Sequence, residues 1–410
     1  MTVPAPPSKS YTHRALIISA LAEGSSEIHN PLSSGDTDCT RMALRSLGIA
    51  VQERDGVLCV CGSDGRPDCP DGLVLDLANS GTSFRLLASW GLLCGTPLIL
   101  TGSARMQERP VGPLVAGLNA LGGRVTYLRN AGYPPVRIAG DLKGGHARIQ
   151  GQISSQFISS ILIVSPYAKE PVHLDIRGEP ASRKYIDLTC DVMEAFGGRV
   201  LREGYSHFQV STTDRYRGRT FIVEGDLSSA SYFFAMAAVT QGRVRVTGVN
   251  PASLQGDLRF VSALESMGCS IRSGRDLIEV SCDGVLEGID IDMSAAPDTV
   301  QTLCVVAACA RSETRITGVS HLRYKESDRL AETAFLLNSL GGSVHVGEGE
   351  IFIRPSPLHG GTIDPRNDHR TAMSFAVLGL AIGGIKILNA ECAGKSFPGF
   401  WDLLRGAGLA

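Results

Sequence analysis

The stretch Leu337-Asn338-Ser339-Leu340-Gly341-Gly342-Ser343-Val344 passes from a helix-like apolar run, through two glycines, into a β-like run. The same grammar recurs as LRSLGIAV at 44–51, LNALGGRV at 118–125, MEAFGGRV at 193–200 and LESMGCSI at 264–271. The first glycines, Gly48, Gly122, Gly197, Gly268 and Gly341, stand 74, 75, 71 and 73 residues apart. A partial copy, LRGAGLA, puts Gly408 another 67 residues on. Spacing this regular is a repeat rather than a coincidence of helix ends. Leu337 and Leu340, with Phe335 and Leu336 nearby, suit a helix face. The glycine supplies a left-handed cap. SVHV then alternates as a strand, and GEGE turns it back into IFIR as a hairpin.

One copy is too small to bury a core, so several must pack together. Six copies of about 70 residues suggest two domains of three. The sixth copy reaches Ala410 without its strands. The N-terminal segment is therefore expected to supply what the sixth copy lacks, which would place both ends of the sequence in one domain. The crossings fall in the small and turn-forming residues Ser8–Ser10 and Glu224–Asp226. The expected domains are 9–226 and 1–8 with 227–410.

Composition narrows the function. The chain has 410 residues, 43% hydrophobic and 20% charged, the balance of a globular protein. With 39 Lys and Arg against 41 Asp and Glu, the net charge is −2. No overall basic field exists for nucleic acid or an anionic membrane, so an anion site must be a local cluster. No apolar run reaches the ~18–20 residues needed to cross a bilayer; Phe375–Leu388 is broken by three glycines and Lys386. Arg14 followed by the apolar Ala15–Ala22 mimics a signal peptide, but Pro4, Pro6 and Pro7 make a poor leader. Eleven cysteines show no CxxC and no zinc spacing. Buried thiols in a reducing cytoplasm are the expectation, with no metal.

Several short strings place hydroxyls, amides and cations at helix starts. Lys9, Ser10 and Arg14 open or precede the helical run Ala15–Ala22. Leu77-Ala78-Asn79-Ser80-Gly81-Thr82-Ser83-Phe84-Arg85 brings Gly81 to another helix start, where backbone can approach a ligand. Arg105-Met106-Gln107-Glu108-Arg109-Pro110 offers two arginines that could fork onto a carboxylate or phosphate. Ser154-Ser155-Gln156 and Ser182-Arg183-Lys184-Tyr185 precede further helices. Taken singly, each also reads as a capped helix or a solvated charge run. Arg323-Tyr324-Lys325-Glu326-Ser327-Asp328-Arg329 has five charges in seven residues, with Asp368-His369-Arg370 and Lys395-Ser396-Phe397-Pro398 behind it. Asp298, opening the apolar run Thr299–Ala310, and Glu326 are the carboxylates set among these cations. A carboxylate among cations stays ionised at neutral pH unless desolvated, and such a pair can share general acid–base work.

In this order the strings resemble the 5-enolpyruvylshikimate-3-phosphate synthase family: SKS…R, LANSGTSFR, RMQERP, SSQF, YIDLT, VEGDLSSASYF, QGDLRF, YKESDRL, NDHRTAM and KSFP, from Lys9 to Pro398. The resemblance implies an α/β protein of two domains, an inside-out barrel-like arrangement of six βαβαββ units, three per domain. It implies transfer of the enolpyruvyl group of phosphoenolpyruvate to the 5-hydroxyl of shikimate 3-phosphate, releasing phosphate through a tetrahedral intermediate. No cofactor or metal is implied. The expected protein is a cytoplasmic monomer whose domains close on substrate, whose partners are these two small molecules, and which glyphosate inhibits.

Residue by residue, Lys9, Ser10, Arg14, Ser154, Ser155, Gln156, Ser182, Tyr185, Asp298, His321 and Lys325 match shikimate-phosphate positions. Lys9, Gly81, Arg109, Gln156, Arg329, Arg370 and Lys395 match phosphoenolpyruvate positions. Asp298 matches the proton acceptor and Glu326 the proton donor, with Lys9 assisting. The departures are His321 for a frequent Asn, Lys184 for a frequent Pro, Ser80 for a usual Ala, and Ala295-Ala296-Pro297 before Asp298. A sister transferase acting on UDP-N-acetylglucosamine uses a loop cysteine. Here no Cys lies between Cys94 and Cys190, and RMQERP occupies the loop. A non-catalytic anion-binding protein on the same fold is the remaining alternative.

Overall fold

The five complete copies cap their helices alike. In the computed structural model, which describes residues 1–406, Gly48, Gly122, Gly197, Gly268 and Gly341 have φ of 82°, 107°, 94°, 103° and 89°. Each glycine N–H bonds the carbonyl three residues back, as Gly197 does to Glu194 at 2.9 Å and Gly341 to Asn338 at 3.1 Å. A side chain at such a φ is strained, which is why the pattern is written in glycine.

The chain opens with β1 (Thr2–Pro4), α1 (Lys9–Leu21), β2 (Ser25–His29), α2 (Gly35–Ser46), β3 (Val51–Arg54) and β4 (Val57–Cys61). The second repeat is β5 (Val74–Asp76), α3 (Gly81–Ala88), β6 (Leu98–Thr101), α4 (Gly112–Ala120), β7 (Gly123–Tyr127) and β8 (Val136–Gly140). The third is β9 (Gly145–Gln150), α5 (Ser155–Val164), β10 (Val172–Arg177), α6 (Lys184–Ala195), β11 (Val200–Glu203) and β12 (His207–Val210), after which comes β13 (Thr220–Ile222). The fourth is α7 (Leu227–Val239), β14 (Arg243–Thr247), α8 (Leu258–Ser266), β15 (Ser270–Ser273) and β16 (Leu277–Ser281). The fifth is β17 (Asp290–Asp292), α9 (Val300–Ala307), β18 (Thr314–Thr317), α10 (Arg329–Ser339), β19 (Ser343–Val346) and β20 (Glu350–Arg354). The sixth holds β21 (Gly361–Ile363), α11 (His369–Ile382), β22 (Ile385–Ile387) and α12 (Phe400–Gly406).

Each complete repeat makes a four-stranded sheet ordered first, second, fourth, third, as in β5-β6-β8-β7. The first two strands run parallel and the hairpin antiparallel. Two leading strands come from elsewhere in the chain. β13 leads the first repeat's sheet, pairing Phe221 with Ile28, and β1 leads the fourth, pairing Val3 with Val246. This corrects the expectation that the N-terminal segment completes the sixth repeat. A leading strand must lie parallel to the second strand of its own sheet, and Thr2–Pro4 finds that partner in β14. Among the described residues the sixth sheet has two strands; the partial copy around Gly408 lies outside them.

The chain divides into Met1–Pro7 with Glu224–Ala410, and Ser8–Val223. The expected divisions at 8/9 and 226/227 lie slightly later. Asp226 donates its N–H to the Pro6 carbonyl at 2.7 Å, while the Ser8 carbonyl accepts from Thr12 inside α1. In each unit the helices fill the interior behind the sheets. α1, α5 and α7 are buried on nearly every face, so their sequences are apolar all round. Each unit has its own core, one including Leu16, Phe157 and Phe208, the other Phe233, Leu303 and Phe375.

Other differences are local. α1 begins at Lys9, with Ser8 as its N-cap, so Lys9, Ser10 and Arg14 lie inside it rather than ahead of it. Asp298 sits in a 3₁₀ turn, Pro297–Thr299, ahead of the shorter α9. Cys69 and Cys94 are paired as a disulfide, contrary to the expectation of thiols throughout. Their Cα atoms are 5.3 Å apart across 25 residues, a proximity set by packing that no local spacing announces. The other nine cysteines are thiols. Among the described residues no helix is long and apolar enough to cross a membrane.

Candidate active site

In the Ser8–Val223 unit, the expected substrate residues gather at helix N-termini. Lys9 and Ser10 form the first turn of α1, and Lys9 Nζ lies 3.1 Å from Asp36 on α2. Arg14, one turn on, is buried. It donates from Nε to Thr189 Oγ1 at 2.8 Å, from Nη1 to the Ser10 carbonyl at 2.9 Å and from Nη2 to the Tyr185 carbonyl at 3.0 Å. It therefore holds α1 against α6. Burial lowers its pKa to about 10, so it stays charged at neutral pH. Ser182, at φ 56°, precedes α6 and accepts from the Tyr185 N–H at 3.0 Å.

Ser154 caps α5, its hydroxyl accepting from the Gln156 N–H, and Ser155 is the first helical residue. Gln156 reaches across to α3, donating to Thr82 Oγ1 at 3.0 Å and accepting from Arg85 Nη1 at 2.9 Å. Gly81 opens α3 under the guanidinium of Arg109, which also donates to the Asn79 carbonyl at 3.4 Å. Hydroxyls tie this floor together, with Ser83 within 2.7 Å of both Thr40 and Ser80. Arg85 was missed as a site residue, although it stands in the LANSGTSFR string. Its burial and its bond to Gln156 mark it only in three dimensions.

The other unit concentrates charge. Arg329, the first residue of α10, is fully buried. It donates to Asp298 at 3.1 Å, to Glu326 at 2.9 Å and to Asp368 at 2.8 Å. Arg370 meets the second oxygen of Asp298 at 2.8 Å and the Tyr232 hydroxyl at 3.4 Å. Lys395 meets the second oxygen of Glu326 at 3.0 Å. The structure thus brings together Asp298, Glu326, Arg329, Arg370 and Lys395, each proposed carboxylate held between two cations. Burial alone would lower the Arg329 pKa, but Asp368, then Glu326 and Asp298, raise it overall.

Two acids were missed. Asp368 caps α11 and accepts from Arg329, from the Ser327 hydroxyl at 3.0 Å and from the Arg370 N–H at 3.0 Å. Its place ahead of a helix was the available signal. Asp257, inside QGDLRF, is buried and accepts from Ser228 at 2.8 Å. Burial, then the charge of Asp298, push its pKa up to about 7. His321 is buried in the 3₁₀ turn Ser320–Tyr324. Burial, then the charge of Lys325, push its pKa down to about 3, so it is neutral, as an Asn would be.

Cations at helix N-termini in one unit, and carboxylates held between buried cations in the other, are arrangements suited to small polyanions and to acid–base chemistry, those of an enzyme. The comparisons with known proteins agree. The profile of the family described as EPSP synthase (3-phosphoshikimate 1-carboxyvinyltransferase) matches residues 1–404. A 3-phosphoshikimate 1-carboxyvinyltransferase of Methanoculleus marisnigri is 55% identical over 406 residues, covering 99% of this chain and 96% of its own. The enzyme of that name from Methanoregula boonei is 57% identical, covering 98% and 96%, and that from Serratia proteamaculans 40%, covering 98% and 95%. A solved EPSP synthase of Acinetobacter baumannii superposes with a TM-score of 0.81 at 29% identity, covering 100% of this chain and 96% of its own. The chain belongs to the EPSP synthase family. Its reaction is the transfer of the enolpyruvyl group of phosphoenolpyruvate to shikimate 3-phosphate, a step of aromatic amino acid biosynthesis.

Proposed function

We propose that the transfer runs by addition and elimination, with the acid–base work done by Asp298 and Glu326. Asp298 accepts the 5-hydroxyl proton of shikimate 3-phosphate as the oxygen bonds C2 of phosphoenolpyruvate. Glu326 gives a proton to the C3 methylene, with Lys9 assisting. A tetrahedral phospho-ketal results. A methyl proton then returns to Glu326 as the double bond re-forms and the C–O bond to phosphate breaks, and the proton held by Asp298 leaves with the phosphate. One proton leaves the hydroxyl and one enters the methylene during addition, so the first step is neutral overall.

The observation that carries this reading is the sharing of Arg329 between Asp298 and Glu326, at 3.1 and 2.9 Å. One buried guanidinium fixes both carboxylates at once. Ser10, Arg14, Ser154, Ser155, Gln156, Ser182, Tyr185, His321 and Lys325 are proposed to take shikimate 3-phosphate. Gly81, Arg109, Arg329, Arg370 and Lys395, with Lys9 and Gln156, are proposed to take phosphoenolpyruvate. Cationic forks and N-terminal backbone N–H groups suit both polyanions. Glyphosate is proposed to compete with phosphoenolpyruvate. The protein is proposed to act as a cytoplasmic monomer.

Phosphate release in the presence of both substrates, measured on wild type, Asp298→Asn and Glu326→Gln, tests the roles. Both variants should lose turnover by 10²-fold or more, the scale of one lost acid or base. A variant retaining wild-type turnover removes that residue from the mechanism.

A further inference from the structure

Three helices begin beside the acid–base pair, and one buried amide joins them. Asp298 lies in the turn that leads into α9, Arg329 opens α10, and Asp368 caps α11 with Arg370 in its first turn. Gln301 stands in the first turn of α9, Thr333 one turn into α10 and Thr371 in the first turn of α11. All three are buried. Gln301 Nε2 donates to Thr371 Oγ1 at 2.7 Å and to Thr333 Oγ1 at 3.3 Å. An amide nitrogen carries two N–H groups, so one side chain serves both neighbouring helices.

These hydroxyls follow the charged groups closely along each helix. Thr371 is the residue after Arg370, and Gln301 is three after Asp298. Thr333 is four after Arg329, on the same face of α10. Arg329 and Arg370 meet the two oxygens of Asp298 at 3.1 and 2.8 Å. The three helix starts are thus tied twice, by charge at Asp298 and by a neutral fork at Gln301. Thr302 and Ser374, 3.2 Å apart, continue the seam between α9 and α11.

Stability alone does not favour an amide at this position. Gln301 Oε1 is buried and makes no hydrogen bond among the described residues. A buried acceptor left unmade is costly, and an apolar side chain of similar size would avoid that cost. What the apolar side chain could not do is hold two hydroxyls on two helices at once.

We propose that Gln301 is a positioning residue for the transfer: its forked amide fixes the spacing of α9, α10 and α11, and through it the alignment of Asp298 with Arg329 and Arg370. The proposal rests on the assignment of Asp298 as proton acceptor. Gln301 acts through the helices rather than on the substrate. A reacting group misplaced by about 1 Å can cost ~10²-fold in rate, so a smaller shift of α9 is enough to be measured.

Steady-state kinetics and denaturant unfolding of Gln301→Leu, Thr371→Val and the double variant test this. Gln301→Leu should lower kcat about tenfold. Its KM for shikimate 3-phosphate should stay within about twofold of wild type, because most residues proposed to take that substrate lie in the Ser8–Val223 unit. A purely structural tie would instead lower the unfolding midpoint and leave kcat of the folded enzyme unchanged. Thr371→Val swaps one hydroxyl for a methyl of like shape and should lower kcat in the same direction, which keeps the test open if Gln301→Leu does not fold. The double variant should lose no more than Gln301→Leu alone, since that change already cuts the bond to Thr371. Asp298→Asn in the same assay separates the two layers of the argument. If it retains wild-type turnover, Asp298 is not the base, and the proposal falls with that assignment. If it loses turnover while Gln301→Leu and Thr371→Val keep wild-type kcat, the positioning role alone is overturned. Losses that multiply in the double variant overturn the shared fork.

Discussion

A Cβ built on Gly81 would lie 2.5 Å from Arg109 Nη2 and 2.6 Å from its Cζ. The guanidinium therefore rests on the bare first turn of α3. Its far end can swing away, so Gly81→Ala should fold normally while displacing the arginine. The expected outcome is a raised KM for phosphoenolpyruvate, and a larger rise in the inhibition constant of the longer glyphosate. One methyl in a tight pocket discriminates by ~1–3 kcal/mol. Equal inhibition constants for wild type and variant would remove Gly81 from the proposed inhibitor site.

Arg109→Ala and Arg370→Ala each remove a buried cation. Truncating one partner of a buried charge pair costs about 2–5 kcal/mol. The ratio kcat/KM should fall at least tenfold in both. Arg370→Ala also strips one clamp from Asp298, which Arg370 meets at 2.8 Å. It should therefore depress kcat, whereas Arg109→Ala acts mainly on the KM for phosphoenolpyruvate. Steady-state kinetics on folded variants separates the two, and near-wild-type constants in both would sink the assignment.

Arg329→Met should be the most destabilising of these changes. It leaves Asp368, at 0% side-chain exposure, and Glu326, at 9%, without their shared guanidinium. Breaking a buried pair from one side typically costs about 3–5 kcal/mol. Denaturant unfolding measures this. A midpoint equal to wild type would show that the network adds no stability.

Asp257 links stability to pH. In the folded chain its pKa is pushed up to about 7, whereas in the unfolded chain it titrates near the ordinary aspartate value of ~4. Its stabilising contribution is therefore complete below about pH 4 and is lost as pH rises to about 7. Asp257→Asn should flatten the stability profile in that window by up to about 1.4 kcal/mol per pH unit. An unchanged slope between pH 4 and 7 would show that Asp257 does not titrate there.

His321 has the opposite sign. Its pKa falls to about 3 in the fold, against an ordinary value of ~6.5. Stability is retained above about pH 6.5 and lost as pH falls toward 3, where the unfolded chain takes the proton first. His321→Asn, which cannot charge, should resist mild acid better than wild type. Thermal unfolding at pH 4 and pH 7 measures the difference. An equal loss in both proteins would locate the acid sensitivity elsewhere.

The repeat was legible because its signal is local. A left-handed turn after a helix is written in glycine, and five copies at nearly constant spacing leave little ambiguity. The helix starts were less legible. α1 begins six residues before its apolar run, because Lys9 and Ser10, behind the Ser8 cap, are polar yet already helical. The partners of the site residues were not legible at all. Arg329 and Asp368 are 39 residues apart, and Arg14 and Thr189 are 175 apart. Tertiary packing brings them together, and no motif spacing encodes it. The same holds for Cys69 and Cys94, and for Thr2–Pro4, whose partner could be named only once β14 was in place.

That pairing of β1 with β14 imposes an order on synthesis. Ser8–Val223 is one continuous stretch and can be complete on the ribosome before the rest exists. Thr2–Pro4 leaves the ribosome ahead of Ser8–Val223, yet its partners Arg245–Thr247 follow some 240 residues later. At about 5–20 residues per second, the strand waits roughly 10–50 s as an unpaired edge. Its sequence, Thr2-Val3-Pro4-Ala5-Pro6-Pro7, is rich in a residue that cannot extend a hydrogen-bond ladder. The prolines guard the nascent chain against premature or foreign strand pairing during that wait.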